Sequence, residues 1–394
     1  MKNKVHNFSA GPSILPNIVF EQASSAINNF NNTGLSILEI SHRSKDFMDV
    51  LEEARSLALE ISDLDANKYS CLFLQGGASM QFLMTAHKFL NKNAAYINTG
   101  SWSTKAIKEA KLYGNVTEIA SSSDKNFNYI PKDIIINDDY DYLNITSNNT
   151  IFGTQFHSFP SSDKNFNYIP KNLSINEDYD YLHKTSNNTI FGTQFHSFPE
   201  SNCPLIADMS SDIFSRKIDF SKFDLIYAGA QKNLGPAGAT MVIINKELLD
   251  RVQRDVPSML SYKVHIEKDS SFNTPPVFPI YCILLNLRLI KQEGIDSISE
   301  KNKIKSDFIY NEIDRNKCFS GFSEVSDRSI MNATFNINEG FDVDLFNKIC
   351  SNNNISGING HRSVGGYRAS IYNALPLESL NILIDAMKEF ELSQ

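Results

Sequence analysis

Apolar residues recur at helical spacing over residues 17–30 and again over 44–61, where SKDFMDVLEEARSLALEI offers Ser44 as an N-cap. A continuous apolar run, YSCLFLQGG, follows and ends on two glycines, which predicts a buried strand entering a turn. The helix-like ASMQFLMTAHKFL comes next, then the strand AAYINTG and the helix SWSTKAIKEAKLYG. NVTEIA, DYDYLHKT, CPLIADMS, FDLIYAGA and ATMVIINK continue the strand series. Short apolar strands alternating with helices predict an α/β fold with a parallel, helix-covered sheet. After about residue 265 the pattern changes. NTPPVFPIY is a proline-rich crossing, a long helix follows, and ATFNINE, DVDLFNKICSNN, GYRASIYNA and SLNILIDAMKEF form a late α+β group. At 394 residues the chain exceeds the usual size of a single core. The expected division is a large domain over residues 17–265 and a smaller α+β domain built from residues 1–16 and 266–394.

One stretch is written twice. Residues 122–160 and 161–199 are the same 39-residue segment with six substitutions between them. Two copies are too few for a solenoid, which needs three or more repeats and caps. Each copy holds one strand candidate, YDYLNIT or YDYLHKT, and one loop, and the sheet needs only one strand of that identity. The expectation is therefore one working copy and one surface excursion, tolerable because loop-closure entropy grows slowly with length. Ile145 of the first copy suits a buried strand better than Lys184 of the second. The second copy, however, runs directly into ESNCPLIADMSS.

Composition narrows the class. A hydrophobic share of 41% and a charged share of 21% are ordinary for a globular protein. A net charge of −8 argues against nucleic-acid binding by bulk electrostatics, while leaving room for a local basic pocket. The N-terminus lacks the apolar core of a signal peptide, and VFPIYCILLNLRLI is too short to span a bilayer and carries Asn286 and Arg288. Five scattered cysteines, never in CxxC spacing, suggest reduced thiols with neither zinc nor disulfides. The expectation is a cytoplasmic protein without membrane or nucleic-acid partners.

The run FDLIYAGAQKNLGPAG delivers Gln231 and Lys232 to the C-terminal end of an apolar strand, the end that faces the ligand crevice in open α/β sheets. Desolvation there lowers a lysine's pKa and suits it to forming an imine with a carbonyl. CPLIADMSS places Asp208 at the end of another apolar strand, where a carboxylate could hold a pyridinium nitrogen protonated. LFLQGGASMQF is a strand, two glycines and a helix start, the arrangement that presents backbone N–H groups to a phosphate. Trp102, the single tryptophan, follows a strand and a glycine, where its indole could stack on a flat ring. Each feature alone has a plain alternative: a surface lysine, a helix N-cap aspartate, a core tryptophan.

Taken together, NFSAGPSILP, EISHRSKDF, FLQGGASMQF, TGSW, TSNNTIFGT, ADMSSDIFSR, YAGAQKNLGPAG, FNTPP and GHRSVGGYRASIYNALP strongly resemble the phosphoserine aminotransferase family, class V, fold-type I pyridoxal-phosphate enzymes, from about residue 6 to residue 390. The resemblance implies a mostly parallel seven-stranded sheet in the large domain and pyridoxal 5′-phosphate as cofactor. It implies Lys232 as the Schiff-base lysine and acid–base group, and Asp208 as partner of the pyridine nitrogen. Trp102 would stack on the ring, and Thr189 (or its duplicate Thr150) would bond the ring hydroxyl. Ala78, Ser79 and Gln231 would bind the phosphate, joined by Asn273 and Thr274 from a partner subunit, which implies a homodimer with shared sites. For the doubly anionic substrate the matching residues are His42, Arg43, His361, Arg362 and Arg368, whose guanidinium groups suit carboxylate and phosphate.

The implied reaction is reversible transamination between O-phospho-L-serine and 2-oxoglutarate, giving 3-phosphohydroxypyruvate and glutamate, with 4-phosphohydroxythreonine as a second substrate in pyridoxine biosynthesis. Where many family members have Gly-Gly-Gly-Arg, this chain has Gly-Gly-Ala-Ser-Met; backbone phosphate binding tolerates that change. Two other readings stand beside this one. Another class V enzyme, such as an alanine–glyoxylate aminotransferase, would leave the basic cluster surplus. A catalytically dead homologue disabled by the duplication would leave every other intact motif unexplained.

Overall fold

The structure is a computed structural model that describes residues 4–91, 93–98, 101–121, 123–125, 142–145, 182–185, 187–188, 193–194, 205–250, 254–322, 325, 328–361 and 365–394. At residues 95, 97, 101–103, 125, 142–145, 182–185, 187–188, 193–194 and 205 it describes the backbone alone.

The chain opens with β1 (His6–Asn7), α1 (Asn17–Asn28) and α2 (Lys45–Ile61). Ser44 caps α2 by accepting from the Phe47 N–H, as its sequence position predicts. Next come β2 (Tyr69–Leu74), α3 (Gly77–Phe89), β3 (Asn93–Asn98), α4 (Ser101–Ala110) and β4 (Asn115–Ser121). The duplicated stretch supplies β5 (Tyr142–Ile145) from the first copy and β6 (Leu182–Thr185) from the second. A two-residue ribbon, β7 (Asn187–Asn188) with β8 (Thr193–Gln194), follows. Then come β9 (Leu205–Asp208), β10 (Leu225–Gly229) and β11 (Thr240–Asn245). The C-terminal part holds α5 (Tyr262–Glu267), α6 (Val277–Glu293), α7 (Ile295–Arg315), β12 (Phe319–Gly321), β13 (Asn332–Ile337), α8 (Val343–Asn352), β14 (Ile355–Ser356), β15 (Tyr367–Ser370) and α9 (Leu377–Leu392).

Among the described residues the main sheet has eight strands in the order β2-β11-β10-β9-β6-β5-β3-β4. All run in one direction except β11, which is antiparallel to both neighbours. Every residue of β2, β10 and β11 is buried, which is why their sequences read as continuous apolar runs. Two corrections follow. Among the described residues the sheet has eight strands rather than the expected seven, and both copies of the duplicated segment supply a strand to it where one working copy and one surface excursion were expected. The two copies carry closely similar strand-forming sequences, YDYLNIT and YDYLHKT, so each can supply a strand.

One apolar cluster lies between the sheet and α2 and α6, and a second lies between the sheet and α3 and α4. A third gathers Phe8 with residues of α7, α8, α9 and the three-stranded sheet β12-β13-β15. The N-terminal arm ties these parts together: β1 pairs with β14, and Tyr372 Oη donates to the Ala10 carbonyl at 2.8 Å. Among the described residues no helix is long and apolar enough to cross a membrane. Cys71, Cys282, Cys318 and Cys350 are free and buried.

Candidate active site

Because β2, β9 and β10 are parallel to one another, their C-terminal ends open on the same edge of the sheet. β9 ends on Asp208, and β10 runs through Gly229 and Ala230 into Gln231 and Lys232. The Ala230 N–H donates to the Ala239 carbonyl at 3.0 Å, while the Leu234 and Gly235 N–H groups bond the Ala230 carbonyl, so the lysine sits in a tight, fixed turn. The arm braces it from the other side. The Ser13 N–H donates to the Gln231 carbonyl and its hydroxyl to the Lys232 carbonyl.

Asp208 and Lys232 form a charge pair in a desolvated setting. Both retain some accessible surface, but protein surrounds their charged atoms closely enough that lost hydration dominates. Burial pushes the Asp208 carboxyl above its usual range, opposed by the Lys232 charge and by bonds from Ser210. Those bonds come from the Ser210 N–H (2.9 Å) and hydroxyl (2.6 Å), both to Asp208 Oδ1. Ser210 Oγ in turn accepts from the Gly229 N–H at 3.0 Å, linking β9 to β10 at the site. Burial pushes the Lys232 amine below its usual range, opposed by Asp208 and reinforced by the positive Arg368.

Arg368 lies on β15, level with Thr334 of β13, and its guanidinium is held below its usual range by burial. Its Nε is buried with no hydrogen-bond partner. A cation that has lost water at one of its donors, beside a lysine that feels its charge, is prepared for an anionic guest. The glycine turn after β2 is equally open. Gly76 caps α3 at φ 94° and Gly77 follows at φ 68°, both in the left-handed region, and a Cβ on Gly77 would meet nothing within 4 Å. Ala78 and Ser79 occupy the first turn of α3, where unbonded N–H groups favour an anion.

The remaining expected site residues divide clearly. Asn273 Nδ2 donates to Gln75 Oε1 at 3.1 Å, so Asn273 and Thr274 sit at the end of β2 beside the glycine turn. His42 and Arg43 lie in the Ser41–Ser44 turn, and among the described residues no hydrogen bond or ion pair joins their side chains to Lys232 or Asp208. His361 closes its own loop, its carbonyl accepting from the Gly365 N–H at 2.9 Å. Trp102 lies in the first turn of α4, described as backbone alone. Thr189, Thr150 and Arg362 lie outside the described residues.

Sequence reasoning passed over several residues that hold the site in place. Ser210 stood inside ADMSSDIFSR, two positions after Asp208, and that spacing is an Asx-type turn signal. A set of buried asparagines also locks Lys232's neighbour to the C-terminal part. Asn233 Nδ2 donates to the Ile213 carbonyl (2.6 Å), and its Oδ1 accepts from the Asn373 N–H (3.1 Å). Asn302 Nδ2 donates to Asn373 Oδ1 (2.8 Å), and Asn286 Nδ2 donates to the Leu234 carbonyl (2.8 Å). Asparagine has no periodic signature, so only the fold reveals this set. A cavity of ≈ 480 Å³ lies against Lys232 and Asn233 but takes neither Asp208 nor Arg368 into its lining, and so is not the site itself.

A desolvated lysine electrostatically paired with a carboxylate at two adjacent strand ends, with an anion-ready glycine turn and an arginine Nε that has no hydrogen-bond partner, is an arrangement that fits a pyridoxal-phosphate-dependent transferase. The chemistry of that donor set and the room above Gly77 fit the cofactor. The family model "Aminotransferase class-V" matches residues 5–165 and 158–383, restarting where one copy of the repeat gives way to the next. Phosphoserine aminotransferase of Flavobacterium psychrophilum is 52% identical over 391 residues, covering 98% of this chain and 99% of that protein. The solved phosphoserine aminotransferase of Bacillus circulans subsp. alkalophilus is 38% identical, with a TM-score of 0.82 and 99% of each chain covered. That of Trichomonas vaginalis, solved with pyridoxal phosphate bound, is 32% identical, with a TM-score of 0.79 over 98% of this chain and 100% of that one. This chain belongs to the class V aminotransferases and, within them, to the phosphoserine aminotransferase family.

Proposed function

We propose that the chain transfers the amino group of O-phospho-L-serine to 2-oxoglutarate, reversibly, giving 3-phosphohydroxypyruvate and glutamate with pyridoxal 5′-phosphate as cofactor. The observation that carries this reading is the Lys232–Asp208 pair at one sheet edge of a chain so similar to phosphoserine aminotransferases. When bound, the cofactor supplies an electron-withdrawing ring that stabilises negative charge at the substrate's Cα.

The chain's own residues account for the rest. Burial holds the Lys232 amine in its neutral form more readily than in water, so it would be the residue that holds the cofactor at its aldehyde carbon and carries the Cα proton. Ser210 keeps Asp208 oriented and favours its charged form, so that it can hold the ring nitrogen protonated. The cofactor phosphate would sit on Ala78, Ser79 and Gln231, with Asn273 and Thr274 reaching it from a second copy of the chain in a homodimer. Trp102 would cover the ring face, and Thr189 would bond its hydroxyl. Arg368 would take the substrate carboxylate, with Arg43, His42, His361 and Arg362 serving the anionic ends. The small domain would comprise residues 1–16 and 266–394, closing on a large domain of residues 17–265. We assign 4-phosphohydroxythreonine as a second substrate, in pyridoxine biosynthesis, and the cytoplasm as location.

Absorption spectroscopy tests the substrate assignment. The cofactor band of the purified protein should convert rapidly on adding phosphoserine and far more slowly on adding alanine or cysteine. Equal conversion by alanine would point to a different class V activity.

A further inference from the structure

The duplicated strands stand side by side in a register that makes them interchangeable. β5 and β6 pair at Leu143↔Leu182 and Asn144↔His183. Each of these pairs joins equivalent positions of the two copies, 39 residues apart (182 − 143 and 183 − 144). On the outer sides, β3 pairs with β5 at Ala95↔Leu143, and β9 pairs with β6 at Leu182↔Leu205. Ala95, Leu143, Leu182 and Leu205 are therefore level across four strands. If either copy's strand withdrew, the other would meet both β3 and β9 with no slip in register. A one-residue slip would turn every side chain to the opposite face, and here none is required.

The presence of both strands has a cost at the site. β3 leads into α4 and Trp102, while β9 ends on Asp208. In the function proposed above, these two residues serve one cofactor ring, and the inference rests on that reading. Neighbouring strands lie about 4.8 Å apart, so the second duplicate strand moves the Trp102 side of the sheet about 4.8 Å further from Asp208. Aromatic stacking tolerates centroid separations of only about 4.5–7 Å, a window narrower than that displacement. The seven- and eight-stranded sheets therefore cannot both hold a ring shared by Trp102 and Asp208, and the family resemblance implies the seven-stranded one.

We propose that β5 and β6 are alternative occupants of a single slot, and that cofactor binding expels one of them to give a seven-stranded sheet. The two copies make this sheet bistable, and cofactor affinity is lowered by the fraction of chains holding both strands.

The single tryptophan makes the proposal measurable, because the cofactor ring quenches an indole stacked on it. A chain lacking residues 122–160 fixes the reference: its Trp102 emission should fall strongly on adding pyridoxal phosphate. Absence of quenching in that variant would overturn the underlying stacking assignment rather than the slot. In the full chain, the pair Leu143→Cys and Leu182→Cys, at backbone spacing suited to a disulfide, ties the two strands together when oxidised. The oxidised pair should bind the cofactor at least tenfold more weakly and leave Trp102 unquenched, with both restored on reduction. Full quenching and unchanged affinity in the oxidised form would overturn the proposal. Hydrogen exchange of the unmodified chain gives a second reading that needs no disulfide. Amides of residues 142–145 or of 182–185, one set only, should lose protection on cofactor binding; retained protection in both sets would likewise overturn it.

Discussion

Ser210 and Asp208 act as one electrostatic unit: the hydroxyl takes the Gly229 N–H and passes a hydrogen bond to Oδ1, while the Ser210 N–H supplies a second. Ser210→Ala leaves the Gly229 N–H without that acceptor and removes one bond to the carboxylate. Loss of such a buried bond costs about 1–3 kcal/mol, to be read from denaturant melts. The Asp208 carboxyl should rise further above its usual range, and cofactor affinity should fall with it. An unchanged affinity would remove Ser210 from the site. Lys232→Ala should lower turnover by at least about 10²-fold, the lower bound for a lost acid–base group, without unfolding the protein. Lys232 and Asp208 were legible in the sequence because each ends a continuous apolar strand. Ser210 and the asparagine set were not, since their roles depend on which strand ends become neighbours.

At the scale of elements, α3 depends on its entry. Gly76 stands at φ 94°, and a Cβ there would lie 2.6 Å from Met80 Cβ. Gly76→Ala should therefore destabilise the fold by more than about 1 kcal/mol and weaken cofactor binding together. Helix α7 carries a different strain. Lys305 is 4% exposed, donates to the Tyr372 carbonyl at 2.6 Å, and burial lowers its pKa to about 7. Between about 7 and the ordinary value of 10.5 the unfolded chain holds a proton that the folded one has released. Stability should thus rise with pH across that window, by up to about 1.4 kcal/mol per pH unit, and level off below it, where both states hold the proton. Lys305→Met should flatten the slope in pH-dependent melts; an unaltered slope would place its origin elsewhere. The periodicity that predicts α2 also predicts its Ser44 cap, because both signals are local. The buried lysine was not readable, as nothing in the pattern of α7 separates it from the exposed lysines around it.

For the whole molecule, the apolar strand series and the order of motifs foretold an α/β sheet with its working edge at the strand C-termini. What the sequence could not settle was the strand count. Pattern shows that each copy of the repeat can form a strand, whereas sheet membership depends on neighbours and register. Deleting either residues 122–160 or residues 161–199 leaves 355 residues (394 − 39) and a single strand for the slot. Both variants should fold and bind cofactor at least as tightly as the full chain. Failure of both would mean that the two copies are needed together.

The central claim, that Lys232 carries the cofactor, is tested most directly by borohydride reduction of the holoenzyme followed by peptide mapping. A pyridoxyl mass on the peptide containing Lys232, absent from the Lys232→Ala variant, is the predicted result. A label on any other lysine, or none at all, would contradict it.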